Sequence, residues 1–331
     1  MFKVINRKGF PMHRALSQML STVLAEQLET VKRLQSAKAL VIASDFSATN
    51  KTAVNSGQLN GLTRTVGLVI CALDDLKSWT NGPRNKWRSE AKYPEDTISY
   101  KKVSSSESDL EEMSRFLYCA VKLPGLAVTC TLPKTPEFVF TKKNDSKEHA
   151  ELEEFRKWKP GVFESLMRFF AVATVALTPV LCEGQTLHWL SDNDDIVAND
   201  SFAKSAAFWF GLELRALTGV LVPPILTVPR SIQPEYRLMF EDVLSICDLA
   251  AGGMGEYLER CKEEYGLVQG GPLGPPPLLR VKAEEIALWF GADEGSLVRV
   301  PLQLEPISKI VMVHQIDRVR KDSDFSTIFC T

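Results

Sequence analysis

The sequence is poor in the residues that bind transition metals or form covalent cross-links. Its 331 residues include 4 His and 7 Cys, and no two cysteines form a Cys-x-x-Cys pair. An odd number of scattered cysteines argues against a disulfide framework or a zinc ribbon. His13, His149 and His314 show no metal-ligand spacing, and His188 lies within a predicted strand, where a core role is expected. The composition predicts a protein of a reducing compartment.

Long apolar runs and a secretory leader are also missing. The longest apolar run, at 169–182, is shorter than a bilayer span once its two threonines and its proline are discounted. The N-terminal residues contain no continuous apolar core that ends in a small-residue cleavage site. We therefore expect a buried helix rather than a membrane span, no membrane partner, and a cytoplasmic location.

The sequence has no excess of positive charge. The formal net charge is -2 and the pI is near 6.2, so a general polyanion binder is disfavoured. Any contact with nucleic acid has to come from local basic patches. One such segment contains Lys86, Trp87, Arg88 and Lys92, and a second lies at 156–159. We predict that the first segment holds phosphates and stacks on bases; the alternative is a solvated face with tryptophans packed onto the protein.

Two common catalytic motifs are absent. The glycines at 252, 253 and 255 lie inside a predicted helix, so they do not form a phosphate-binding loop. No serine or cysteine occupies a strand-to-helix elbow, which leaves no recognisable nucleophile triad. Carboxylates are therefore the main candidates for chemistry.

The hydrophobic periodicity predicts an α/β fold with a mixed sheet. Strands are predicted at 39–45, 65–73, 125–132, 186–190, 220–228, 297–304 and 310–316, and helices at 12–37, 108–121, 160–177, 200–216, 235–264 and 282–290. Charges, two tryptophans and a turn signal predict a surface excursion at 74–106. The predicted organisation is an N-terminal helix at 1–37, a domain at 38–264, a Gly/Pro linker at 265–277 and a small α+β appendage at 278–331.

Three aspartates occupy positions that suit a metal site. Asp45 and Asp192 each close a strand expected near the middle of the sheet, and Asp248 lies at the margin of the apolar stripe of the long helix. Glycines that follow Asp248 suggest that this helix packs closely on its neighbour. Acids brought together in this way repel each other unless a cation neutralises them, and Mg²⁺ or Mn²⁺ is the natural choice.

Each acid also has a structural interpretation. Asp45 suits a turn or a cap before Ser47, and Asp192, with the acids at 194 and 195, suits the N-terminus of the helix that begins near 200. Asp248 suits a buried ion pair, and Glu90 lies in a segment where charges are frequent. We predict Asp45, Asp192 and Asp248 as ligands.

One stretch resembles a known family. The run Val243-Leu-Ser-Ile-Cys-Asp248-Leu-Ala-Ala-Gly-Gly resembles the closing helix of the family called domain of unknown function 3800 (DUF3800), of the RNase H-like superfamily. Asp45 resembles the start of that family's Asp-Glu-Ser-Gly motif, but here Phe46 replaces the second acid. Glu90-Ala-Lys92 is similar to its Glu-x-Lys element, and Leu190-Ser-Asp192 to the acid that ends its fourth strand. The matches cover about 39–262.

The resemblance implies an RNase H-like mixed sheet flanked by helices and, by analogy, a metal-dependent nuclease. Asp45, Asp192 and Asp248 would hold Mg²⁺ or Mn²⁺, Glu90 would complete the shell, and a phosphodiester of DNA or RNA would be hydrolysed. The alternative is a non-catalytic RNase H-like interaction protein of a bacterial defence or mobile-element system, with a protein partner. The missing second acid favours that alternative. A small-molecule phosphoesterase is a third interpretation.

Overall fold

The structure is a computed structural model that describes residues 10–46, 63–92, 94–133, 160–191, 200–227, 234–265, 281–307 and 310–315. These residues form an α/β fold with a mixed sheet and helices on both of its faces, which confirms the predicted class. In the described part of the chain, no helix combines the length and the apolar character that a membrane crossing requires.

The elements follow the predicted order along the chain. The strands are β1 Ala39–Phe46, β2 Thr63–Ala72, β3 Gly125–Pro133, β4 Thr186–Ser191, β5 Ile225–Thr227, β6 Leu297–Ile307 and β7 Ile310–Gln315. The helices are α1 Phe10–Ala25, α2 Leu28–Ser36, α3 Leu73–Trp79, α4 Asn85–Glu90, α5 Glu107–Ala120, α6 Pro160–Leu177, α7 Asp200–Thr218, α8 Pro234–Tyr265 and α9 Val281–Gly291. A π-helical turn, Thr80–Arg84, joins α3 to α4.

The described strands form one seven-stranded sheet in the order β5-β4-β1-β2-β3-β6-β7. β1, β2 and β3 form an antiparallel meander. β4 is parallel to β1, and β5 is parallel to β4. β6 runs parallel to β3, and β7 pairs antiparallel with β6. The predicted hairpin of β1 and β2 is confirmed, and β5 lies at an edge of the described sheet.

Three predicted elements differ from the structure. The single helix expected at 12–37 is two helices, because Gln27 has a non-helical backbone with φ -115° and ψ 39°. The excursion expected at 74–106 includes α3, the π turn and α4, which bury Leu76, Trp79 and Trp87. The appendage expected at 278–331 supplies β6 and β7 to the same sheet, while the predicted linker at 265–277 lies almost wholly outside the described residues.

Alternating side chains divide the core into two layers. On β1, Leu40 and Ile42 point to the layer covered by α1, α2, α6 and α7, which we call face A. Val41 and Ala43 point to the layer covered by α3, α4, α5, α8 and α9, which we call face B. Helix α8 crosses β1, β2 and β3 on face B, so it faces the middle of the sheet.

Candidate carboxylate site

A close approach between α8 and β2 places two of the predicted ligands on the same face of the sheet. Asp45 is paired with Gly67 across β1 and β2. A Cβ atom on Gly67 would lie 2.3 Å from the carbonyl oxygen of Cys247 and 3.2 Å from the Cβ of Ala251. Only glycine allows the helix to lie this close. The residue after Cys247 is Asp248, so the packing places Asp45 and Asp248 in one region of face B.

The charges of both carboxylates affect the pKa of the Cys247 thiol. Burial raises the pKa of Cys247 well above its usual value, and the negative charges of Asp45 and Asp248 raise it further. The thiol therefore remains protonated at neutral pH. Both aspartates are half-buried.

Asp248 also holds a loop on the protein. One of its oxygens, Oδ2, accepts a hydrogen bond from the main-chain N–H of Tyr100 at 2.6 Å. A charge-assisted bond of this length fixes the direction of the carboxylate. The position of Asp248 at the margin of the apolar stripe is therefore explained by a main-chain donor.

Asp192 lies outside the described residues. The strand before it, β4, ends at Ser191, which is the parallel partner of Ser44 on β1. The residues that precede Asp192 and Asp45 are thus neighbours across two adjacent strands. The predicted role of Asp192 as a ligand stays a prediction.

Glu90 has a different partner from the one predicted. It is the last residue of α4, its side chain is 52% exposed, and its Oε2 lies 3.4 Å from Nη2 of Arg115 on α5. A carboxylate that is neutralised by arginine is a weak candidate for a metal ligand. Among the described residues, no group of three or more His, Cys, Asp or Glu side chains could hold a metal ion. The described site is therefore a pair of carboxylates.

Two of the four residues predicted to contact nucleic acid are buried, and two are exposed. Trp87 packs on Phe116 with ring centroids 4.9 Å apart, and Arg88 is 6% exposed. The prediction that these two side chains contact nucleic acid is wrong for this structure, because both face the interior. Lys86 and Lys92 are exposed, and Lys92 donates to the Ser108 hydroxyl at 3.3 Å. The second basic segment, at 156–159, lies outside the described residues.

A buried ionic group on face B was not found from the sequence. Asp242 on α8 is fully buried and accepts hydrogen bonds from the guanidinium groups of Arg84 and Arg88. These contacts tie the π turn and α4 to α8. The partners are separated by 158 and 154 residues in the chain, so no local pattern could have indicated the pairing.

The donor set at Asp45 and Asp248 suits a hard divalent cation. Mg²⁺ is commonly held by one or two carboxylates while it keeps several waters and takes oxygens from a phosphate substrate. Two carboxylates on one face meet that minimum, and carboxylate oxygens suit Mg²⁺ or Mn²⁺ better than a soft metal. No protein-family model matches the chain, and no curated protein matches it.

Proposed function

We propose that this protein is an RNase H-like, divalent-metal-dependent phosphodiesterase that acts on DNA or RNA. The strand arrangement supports the fold assignment. Three consecutive antiparallel strands are followed by two parallel strands on the side of the first, which is the order expected of an RNase H-like sheet. Strands β6 and β7 extend the sheet on the opposite side, beside β3.

The placement of Asp45 and Asp248 on face B, on either side of the contact between β2 and α8, is the single observation that carries the proposal. This placement depends on Gly67, which lets α8 lie against β2. The charges of both aspartates also raise the pKa of Cys247. Two half-buried carboxylates on one face offer oxygen ligands to a divalent cation. We propose Asp192 as a third ligand, because Ser191 and Ser44 are paired.

In this proposal the chain binds and orients the reacting groups. When bound, Mg²⁺ or Mn²⁺ supplies Lewis-acid activation of water and of the phosphate. Asp45 and Asp248 provide oxygen ligands, and the N–H of Tyr100 keeps the Asp248 carboxylate in one orientation. The exposed Lys86 and Lys92 supply positive charge for the phosphates of a strand.

Cleavage assays with matched aspartate variants test the proposal. Wild-type protein is incubated with Mn²⁺ and labelled single-stranded and duplex DNA and RNA, and compared with Asp45→Asn, Asp248→Asn and Asp74→Asn. The amide in Asp248→Asn keeps an oxygen that accepts from the N–H of Tyr100 but loses the charge. The control Asp74 has a side chain that is 86% exposed. We expect cleavage in wild type and Asp74→Asn only, and equal cleavage by all four proteins would refute the proposal.

The non-catalytic interaction protein is the second candidate, and two observations favour it. Glu90 is paired with Arg115, and Trp87 and Arg88 are buried, so part of the predicted catalytic and binding set is engaged inside the protein. The absence of metal-dependent cleavage on every substrate, in a preparation that still binds nucleic acid or a protein, would support this candidate.

A further inference from the structure

The segment 94–103, which we call the strap, connects α4 to α5 and is fastened at both ends. At its start, Nη1 of Arg88 donates to the carbonyl oxygens of Pro94 at 2.8 Å and Asp96 at 2.6 Å. Arg88 is itself fixed by Asp242 on α8. The beginning of the strap therefore has a defined position relative to α8.

Lys282 fastens the other end of the strap. This residue is 4% exposed and lies in the first turn of α9. Its Nζ donates to the carbonyl oxygens of Tyr100 at 2.8 Å and Val103 at 3.0 Å, and it lies 4.1 Å from the centroid of the Tyr100 ring. A buried ammonium group requires such partners. The element predicted as part of an appendage thus reaches the strap directly.

Tyr100 lies along one side of α8. Its N–H donates to Asp248, its ring lies against Gly252, and its hydroxyl donates to Oε2 of Glu256 at 2.6 Å. A Cβ atom on Gly252 would lie 2.4 Å from Cγ of Tyr100, so the ring position requires glycine. The three contacted residues are four positions apart and share one side of the helix. Tyr100 is therefore held at several points while it contacts Asp248.

We infer that Tyr100 is a positioning residue for the carboxylate pair and that Lys282 holds Tyr100 in place. The hydrogen bond from the N–H of Tyr100 restricts rotation of the Asp248 carboxylate. Groups that orient metal-binding carboxylates in this way contribute strongly to metal affinity. The inference rests on the proposed function, because it concerns the same site.

Mn²⁺ binding to the full-length protein, measured by the loss of the free-ion EPR signal, tests this inference. Lys282→Met removes the ammonium group but keeps much of the apolar stem, and Lys282→Arg restores a cation. The matched control is Lys122→Met, because the exposed Lys122 also lies over a tyrosine ring, that of Tyr118, at 4.2 Å. We expect about tenfold weaker Mn²⁺ binding in Lys282→Met, partial recovery in Lys282→Arg, and no change in the control.

Hydrogen exchange of the strap amides provides a readout that does not depend on the metal. We expect faster exchange over 94–103 in Lys282→Met, with a circular dichroism spectrum equal to that of wild type. Unchanged Mn²⁺ affinity in that variant, beside tight binding by wild type, would overturn the inference and leave the proposed function standing. If wild type and Asp45→Asn both fail to bind Mn²⁺, the proposed function fails and the inference fails with it.

For Tyr100 itself, Tyr100→Phe removes only the hydroxyl that donates to Glu256. Its matched control is Tyr118→Phe, whose ring is 64% exposed. We expect a smaller loss of Mn²⁺ affinity than in Lys282→Met, because the main-chain donor to Asp248 remains. A loss in Tyr100→Phe that exceeds the loss in Lys282→Met would contradict the assigned order of the contacts.

Discussion

The two faces of the sheet are built differently. On face A, apolar rings fill the space between helices and strands: Phe169 stacks on Trp189 at 4.6 Å, and Phe170 stacks on Phe210 at 5.4 Å. On face B, α8 carries Asp242 and Asp248 among its apolar residues. Among the described residues, face A buries the charged side chain of Arg168 on α6. Face B buries those of Asp242, Arg88 and Lys282.

The difference between the two faces shows where the protein buries charged side chains despite the free-energy cost of removing them from water. A mostly apolar layer such as face A is sufficient to hold a sheet and its helices together. Buried charges are stable only with partners, and on face B those partners are the π turn, α4, α9 and the strap. The half-buried Asp45 and Asp248 occur on the same face, so the proposed site lies on the face that maintains more buried charges.

Among the changes that test the difference between the faces, removal of the Asp242 charge is expected to lower the free energy of unfolding most. Asp242→Asn leaves the guanidinium groups of Arg84 and Arg88 without their buried counter-ion, which we expect to lower the free energy of unfolding by about 5 kcal/mol. Urea unfolding followed by circular dichroism measures the change. Asp74→Asn, at an exposed aspartate, is expected to change it by less than about 0.5 kcal/mol. Equal effects would show that the buried group does not stabilise face B.

A cavity on face A tests whether the two faces are separable. Phe169→Ala removes a ring that stacks on Trp189, and we expect a loss of about 4 kcal/mol in the free energy of unfolding. Mn²⁺ affinity of the folded fraction is expected to stay unchanged. The control is Phe208→Ala, at a ring that is 62% exposed. A large loss of metal affinity in Phe169→Ala would mean that face A also shapes the site.

Displacement of α8 is expected to affect stability and the site together. Gly67→Ala introduces a Cβ that would lie 2.3 Å from the carbonyl oxygen of Cys247, so α8 must move. We expect a loss of about 1–3 kcal/mol and weaker Mn²⁺ binding in the same titration. Gly82→Ala is the matched control, since a Cβ atom on Gly82 would have no described neighbour within 4 Å. Unaltered Mn²⁺ binding in Gly67→Ala would separate the packing of α8 from the carboxylate pair.

The smallest expected effect is a pH dependence from His188 on β4. Burial lowers the pKa of His188 below its usual value near 6.5. As the pH falls, the unfolded chain therefore takes up the proton before the folded protein does, and stability that is present above the usual pKa is lost. We expect the drop in Tm from pH 7 to pH 5 to be smaller in His188→Gln than in wild type. Identical drops would show that this histidine does not contribute.

Short-range patterns were sufficient for most of the elements. The apolar run that ends in Asp45 predicted β1 to within one residue, and the periodicity before Tyr265 predicted α8. The spacing of apolar residues indicates which side chains face the core, and this spacing differs between helices and strands. The position of Asp45 and Asp248 on one face followed from the same reasoning, since a strand and the helix that crosses it share that face. Their role as metal ligands stays a prediction.

Long-range partners were not encoded in any local pattern. Trp87 and Arg88 resembled an exposed basic and aromatic segment, but Phe116 and Asp242 bury them. The role expected for Glu90 ignored Arg115, whose position is fixed by the packing of α5 against α4. Strand neighbours such as β3 and β6 also depend on the whole chain. Tertiary contacts therefore determine which of the charged residues remain exposed and which are engaged in contacts within the protein.

The pairing of β3 with β6 affects how the chain is made. During synthesis, residues 125–133 leave the ribosome long before residues 297–307, which later cover that side of the strand. The nascent protein therefore carries an open strand edge while the residues between 133 and 297 are made, and open edges promote association between chains. We expect polypeptides released before residue 297 to require chaperones more than the finished protein does.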